Sequence, residues 1–309
     1  MSILLLFENK DVIPWEKALK DKLPNETIEV YPNVQNNDAV TFVICWKPPH
    51  NVLLQFPNIK VIQSVGASID HITNSQVLPE EVTVTRIVDE KLSNDMWEFL
   101  ITIVLGALKN LKTYTEQQAD KEWQQQEYRS IANTTIAILG LGKIGSYVAE
   151  KFAQFGFNVK GWSTSAKQID QVQSYQGQAA FDVFLNASDF LINLLPLTES
   201  TADILNKNTL KKLPQDAFLI NVGRGEHVVD EDLLQLLDDA KLAGAFLDVF
   251  RTEPLPKTHK FWNHSKIQMT PHIASLTDVT SATKQIAENY SRFLKNESLI
   301  NKVSIKKGY

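Results

Sequence analysis

The sequence predicts an α/β protein of two doubly wound, parallel-sheet domains. Three observations predict it. Short apolar, β-branched runs alternate with helical patterns through both halves of the chain. A glycine-spaced turn, Gly140-Leu141-Gly142-Lys143-Ile144-Gly145, lies between one such run and a helical segment. The length, 309 residues with 43% hydrophobic and 22% charged content, suffices for two ordinary cores.

In chain order, the first half offers strands at 3–7, 40–45, 59–64 and 82–85. Residues 96–108 form a long apolar helix, with a cap expected among Ser93, Asn94 and Asp95. Residues 112–130 are polar and rich in Gln, and read as a surface helix and loop. Trp123 within them is either a packing anchor or a contact for a partner chain. The second half offers strands at 135–139, 158–162, 190–194, 217–221 and 244–249. Residues 146–153 read as a helix that Gly156 would end. Leu233, Leu234, Leu236 and Leu237 mark another over 230–238, and a final helix spans 278–294. A helix that late can return to the first half. The expected domains are therefore 1–98 plus 281–309, discontinuous, and 99–280.

Charge and composition narrow the function. Net charge is −5 with no basic stretch, which argues against a nucleic-acid or anionic-membrane partner. Cys45 is the single cysteine, so no intrachain disulfide can form; it reads as buried packing. The run at 3–7 is too short for the apolar region of a signal peptide, and no run approaches a membrane span. A cytoplasmic protein is the expectation. His50, His71, His227, His259, His264 and His272 show no metal-ligand spacing, so no metal is expected.

The glycine turn has the context that gives it meaning: strand, turn, helix, strand within about thirty residues. Gly140 would allow the tight turn, Gly142 close approach of a pyrophosphate, and Gly145 close packing of helix on strand. The helix start offers N–H groups and a positive dipole end to phosphates. Gly140, Leu141, Gly142, Lys143, Ile144 and Gly145 are thus candidate dinucleotide-binding residues. The second strand of such a unit commonly ends in a carboxylate that accepts from the adenosine ribose. Here it continues Ser163-Thr164-Ser165-Ala166-Lys167. Small hydroxyls and a lysine suit a 2′-phosphate, so Ser163, Thr164, Ser165 and Lys167 favour NADPH, with NADH as the alternative.

Farther along stand a cation, a carboxylate and an imidazole. Reduction of a keto carbon by hydride leaves an oxygen that needs a proton. His272 can donate one near neutral pH. Glu253 is the candidate partner, because a carboxylate orients an imidazole and neutralises its cation. Arg224 lies between Gly223 and Gly225, where backbone can bend and a ligand approach; its fork can hold a carboxylate and polarise the neighbouring carbonyl. His227 lies near Arg224 with no assigned role.

The chain resembles the D-isomer-specific 2-hydroxyacid dehydrogenases over nearly its whole length, and among them the glyoxylate/hydroxypyruvate reductase A group. The resemblance rests on Trp46-Lys47-Pro48-Pro49, Gly66-Ala67-Ser68-Ile69-Asp70, the glycine turn, Leu191-Ile192-Asn193-Leu194-Leu195-Pro196 and Asn221-Val222-Gly223-Arg224-Gly225. It continues through Val228-Val229-Asp230-Glu231, Leu247-Asp248-Val249-Phe250, Glu253-Pro254-Leu255-Pro256, Pro271-His272 and Lys307-Gly308-Tyr309. It implies a flavodoxin-like substrate domain and a Rossmann domain, with Arg224, Glu253 and His272 as the catalytic set. It implies substrate contacts from Trp46, Val65, Gly66, Ala67 and Arg224, the Val65–Ala67 backbone receiving a carboxylate. It adds Leu195, Pro196, Val222, Gly223, Asp248, His272 and Ala274 to the cofactor site, with Asp248 at the nicotinamide carboxamide. It also implies a homodimer acting on small 2-oxo or 2-hydroxy acids, glyoxylate and hydroxypyruvate first. Two rivals stay open: another dehydrogenase of the family, such as one for phosphoglycerate, would ask for more cationic groups. A dinucleotide-sensing, corepressor-like protein would show slow turnover and a peptide groove.

Overall fold

The apolar runs of the first half assemble into a five-stranded parallel sheet in the computed structural model, which describes residues 1–8, 10–79 and 81–305. Its strands are β1 (Ser2–Phe7), β2 (Ile28–Val30), β3 (Val40–Trp46), β4 (Val61–Ser64) and β5 (Thr83–Thr85), in the order β2-β1-β3-β4-β5. That is the flavodoxin-like order. Ile3, Leu4, Leu5 and Leu6 are all fully buried, as a strand covered on both faces requires. Leu4, Leu6, Val43, Cys45, Ile62 and Val84 share one apolar cluster with Ile69 and Ile72. Helix Val279–Leu294 belongs to this unit: Tyr290 meets Phe42 edge-on at 5.4 Å, and Asn289 donates to Gln63 at 2.9 Å. The chain thus returns late, and this unit comprises Met1–Lys91 and the described residues from Thr277 onward.

The second unit, Leu92–Leu276, carries a seven-stranded parallel sheet. Its strands are β6 (Thr135–Leu139), β7 (Asn158–Ser163), β8 (Val172–Gln176), β9 (Phe190–Asn193), β10 (Ala217–Asn221), β11 (Leu242–Leu247) and β12 (Ile267–Met269). Their order, β12-β11-β10-β9-β6-β7-β8, reverses direction between β6 and β9. Ligands of doubly wound sheets bind beyond the strand ends at such a switch. Successive residues feed opposite clusters. Ala137, Leu139, Leu191, Leu219 and Leu247 face one, with the leucines of helix Asp230–Asp238. Ile136, Ile138, Ile192 and Ile220 face the other, with Leu100, Val104, Val148 and Phe152. Both faces are therefore covered by helices.

The observed elements differ from expectation at several points. The long helix is Glu90–Leu108, so Ser93, Asn94 and Asp95 lie inside it rather than capping it. Leu92, Met96 and Leu100 recur every fourth residue and are buried, and this stripe carries the helix back through the polar stretch. β4 and β9 are shorter than expected, and β11 begins and ends two residues earlier than 244–249. The edge strands β2, β8 and β12 were not anticipated, being short or largely polar. Within 112–130, helix Leu111–Asp120 is followed by irregular chain in which Trp123 is 100% exposed. It anchors no packing in this chain. The expected boundaries at 98/99 and 280/281 each lie a few residues beyond the observed divisions at 91/92 and 276/277. The Lys307-Gly308-Tyr309 stretch lies outside the described residues.

Candidate active site

Parallel strands deliver the candidate residues of the second unit to one edge. Gly140 follows β6, Ser163 ends β7, Leu195 and Pro196 follow β9, and Val222, Gly223 and Arg224 follow β10. Asp248 follows β11, and His272 and Ala274 follow β12.

At the switch, Gly140 has φ 110°, and a Cβ there would lie 2.9 Å from the Leu194 carbonyl. Only glycine accommodates both. A Cβ on Gly145 would lie 1.9 Å from the Gly140 carbonyl oxygen, so the helix packs directly on the turn. Gly142 is different: a Cβ there would meet nothing within 4 Å. Open space thus fronts the first turn of helix Lys143–Gln154, whose leading N–H groups lack intrahelical partners. The residues fit a pyrophosphate. Leu141 turns inward against Gly161, so it can offer a ligand only backbone, whereas Lys143 is exposed and Ile144 half-buried. After β7, buried Ser163 donates to the Ser165 carbonyl at 2.6 Å; Thr164, Ser165 and Lys167 are exposed.

Arg224 is half-buried and its Nη1 donates to the Gly223 carbonyl at 2.7 Å. Its flanking glycines do not supply a left-handed bend, since neither has positive φ. They supply room. A Cβ on Gly225 would lie 1.9 Å from the Phe250 carbonyl carbon, and one on Gly223 would lie 2.9 Å from the Asn193 amide nitrogen.

The imidazole is set by a buried carboxylate. Asp248, 1% exposed, accepts from the Thr270 hydroxyl at 2.6 Å and from the N–H groups of Ile273 and Ala274 at 2.8 and 2.9 Å. Its carbonyl accepts the His272 N–H at 2.8 Å. These bonds hold His272 at φ 56°, a conformation costly for a non-glycine residue unless its surroundings fix it. The ring then meets Glu253: Nδ1 lies 2.9 Å from Oε2 and 3.1 Å from Oε1. Glu253 itself accepts the Phe250 N–H at 3.2 Å. A carboxylate only accepts, so Nδ1 carries a proton and Nε2 is the edge left for exchange with a ligand.

In the first unit, half-buried Trp46 ends β3 and the Val65-Gly66-Ala67 loop follows the neighbouring β4. The Trp46 ring lies 4.6 Å from that of His71 and 4.9 Å beneath the Lys10 ammonium. Two of the loop N–H groups are already engaged. Val65 donates to the Cys45 carbonyl at 3.3 Å and Gly66 to the Ser64 hydroxyl at 3.1 Å. For the Ala67 N–H, no such bond is present among the described residues. Arg86, which no sequence pattern singled out, donates to the Ala67 carbonyl at 3.0 Å. Cys45 is fully buried, and burial pushes its thiol pKa up, so it is no nucleophile at neutral pH. Among the described residues no group of three or more His, Cys, Asp or Glu could hold a metal ion.

Sequence reasoning also missed Asn193 and Asn221, each 0% exposed and paired in register at the ends of β9 and β10. The available signal was the repeated Leu-Ile-Asn at 191–193 and 219–221: two buried strands ending in the same amide.

Known proteins resemble this chain in sequence and fold. A family model for the NAD binding domain of D-isomer specific 2-hydroxyacid dehydrogenases matches residues 101–274. Glyoxylate/hydroxypyruvate reductase A of Serratia proteamaculans is 38% identical over 300 residues, 96% of each chain. That of Yersinia enterocolitica is 34% identical over all of both chains. A D-isomer specific 2-hydroxyacid dehydrogenase of Xanthobacter autotrophicus Py2, in complex with NADPH and MES, superposes with TM-score 0.94 at 32% identity, covering 100% of this chain and 99% of that one. The NADPH-dependent glyoxylate/hydroxypyruvate reductase of Sinorhizobium meliloti, in complex with NADP and sulfate, gives 0.93 at 32% identity over 100% of both. Sequence identity along the whole length and a match spanning more than half of it agree: this chain belongs to the D-isomer specific 2-hydroxyacid dehydrogenases.

Proposed function

We propose that this protein reduces small 2-oxo acids, glyoxylate and hydroxypyruvate foremost, with NADPH preferred over NADH. The observation that carries the reading is the His272–Glu253 pair at 2.9 Å, set by Asp248 on the same sheet edge as the glycine turn. The bound dinucleotide supplies a hydride. Gly140–Gly145, Leu195, Pro196, Val222, Gly223 and Ala274 would hold it, with Asp248 near the carboxamide and Thr164, Ser165 and Lys167 near a 2′-phosphate. Arg224 binds the substrate carboxylate and polarises the carbonyl. His272 gives a proton from Nε2 to the new alkoxide while Glu253 holds Nδ1–H and balances the imidazolium. The first unit, through Trp46 and the Val65–Ala67 loop, contributes to substrate binding; the expected 99–280 segment binds the dinucleotide. Relatives described with NADPH or NADP support the cofactor preference, as does the lack of a carboxylate at 163–167. A homodimer in the cytoplasm completes the reading, with exposed Trp123 a candidate contact between copies. No helix among the described residues is long and apolar enough to cross a membrane.

The test is a 340-nm assay with glyoxylate, hydroxypyruvate and other 2-oxo acids against both reduced nicotinamides. Reduction needs protonated His272 and oxidation needs it neutral. Reduction therefore consumes a proton at His272 and oxidation returns one to it. His272→Ala should lower kcat by about 10²–10⁴ with NADPH binding retained. Full turnover in that variant removes His272 from the mechanism.

A further inference from the structure

His227 is fully buried three residues past Arg224, and the reaction above does not use it. Two side-chain amides, each oriented by a backbone N–H, together with the Arg224 N–H and the Pro196 carbonyl, fix its protonation state. The Leu195 N–H donates to Asn193 Oδ1 at 3.2 Å, so the Asn193 Nδ2 must be a donor. The Gly223 N–H donates to Asn221 Oδ1 at 3.2 Å, which orients the second amide. Asn193 Nδ2 then gives one hydrogen to Asn221 Oδ1 and one to His227 Nδ1, each at 2.9 Å. The Arg224 N–H donates to the same Nδ1 at 3.1 Å. Nδ1 receives two donors, so it carries no proton. Nε2 lies 3.3 Å from the Pro196 carbonyl, an acceptor, so it carries one. Asn221 Nδ2 closes the circuit on the Arg224 carbonyl at 2.9 Å.

We infer that His227, locked as the neutral Nε2–H tautomer by Asn193 and Asn221, is a positioning residue for Arg224. Both backbone polar groups of Arg224 end in this network, N–H on the ring and carbonyl on Asn221. The same ring reaches the Pro196 carbonyl, so one side chain ties the turn after β10 to the turn after β9. Gly223 must stay small because its Cβ would press on Asn193 and on His227 itself, at 2.9 and 3.1 Å. The inference rests on the proposed reaction for its kinetic meaning and on hydrogen bonding alone for its structural meaning.

Two substitutions separate the ring nitrogens. His227→Asn places an acceptor near the Nδ1 position and loses the Nε2 contact. His227→Gln reaches the Nε2 position and loses the Nδ1 acceptor. With hydroxypyruvate and NADPH, H227Q should raise KM about 10-fold or more and lower kcat, with the NADPH Kd within about 3-fold of wild type. H227N should keep KM within about 3-fold. Equal kinetic damage in both variants, tracking equal losses of Tm, would reduce His227 to packing, and an unchanged H227Q would remove it altogether. Nitrogen-15 NMR of the wild-type protein decides the tautomer without turnover, using H227N to assign the ring. An unprotonated Nδ1 with protonated Nε2 at neutral pH is expected; protonated Nδ1 overturns the inference. The Arg224 amide resonance should move in H227Q and hold in H227N. If the wild type reduces no 2-oxo acid, the proposed function fails while these resonances still judge the brace.

Discussion

Two turns at the same sheet edge, 140–145 and 223–227, both follow a buried apolar strand and both are spaced by glycine. They differ at one position: Gly140 and Gly145 are packed against the chain as Gly223 and Gly225 are, and Gly142 is not. In the first, a Cβ on Gly142 would meet nothing within 4 Å, which is the room the proposed pyrophosphate site needs. In the second, the chain itself fills the space: Phe250 presses on Gly225, and Asn193 and His227 on Gly223. The first turn is shaped for something outside the chain; the second holds one of its own side chains, Arg224, in register. A glycine pattern therefore locates a crowded or an open backbone, and only the structure says which.

Substitutions can break this contrast. Arg224→Lys should have the largest effect, a fall in kcat/KM of about 10²-fold or more, since lysine keeps the charge and loses the planar fork. Steady-state kinetics beside an unchanged NADPH Kd would show it, and near-normal kinetics would move Arg224 out of the site. Gly225→Ala should come next. The new methyl must displace backbone at Phe250 and Arg251, costing about 1–3 kcal/mol. Thermal unfolding should register this, together with lower kcat, because Glu253 bonds the Phe250 N–H. Gly142→Ala should do the reverse: Tm close to wild type, and NADPH affinity about 10-fold weaker as the methyl enters the pyrophosphate space. A large drop in Tm there would erase the distinction between the turns. Smallest is Ser163→Asp, which should shift the kcat/KM ratio toward NADH by a few fold, about 1 kcal/mol. The added carboxylate would accept from the ribose and repel the 2′-phosphate, at the cost of the Ser163 bond to Ser165.

What could be read from the sequence was local. Strands such as 135–139 and 217–221 announce themselves by composition, and they fall where expected. The glycine turn is legible because strand, turn and helix are consecutive. Arg224, Glu253 and His272 were found by chemical type and by resemblance, and the structure pairs the last two across nineteen residues. Of the Asn193–Asn221–His227 network the sequence shows only the repeated Leu-Ile-Asn, because its bonds span 28 and 34 residues. β8 escaped for a different reason. Val-Gln-Ser-Tyr-Gln has little apolar content, and an edge strand needs little. The role of Asp248 was half visible: resemblance pointed to a ligand, whereas the geometry shows three donors anchoring the His272 turn.

The late return of helix Val279–Leu294 has a consequence for synthesis. The first unit's sheet is complete by Thr85, yet Phe42 and Gln63 acquire Tyr290 and Asn289 only after all of Leu92–Leu276 has been made. Tyr290 also donates to Glu26, so the last helix is bonded to the first thirty residues. The whole of Leu92–Leu276 emerges from the ribosome in between and is contiguous. It can close its core while the first unit still exposes Phe42 and its neighbours. The inserted unit can therefore mature before the unit that brackets it, whose packing waits for Tyr290 and Asn289.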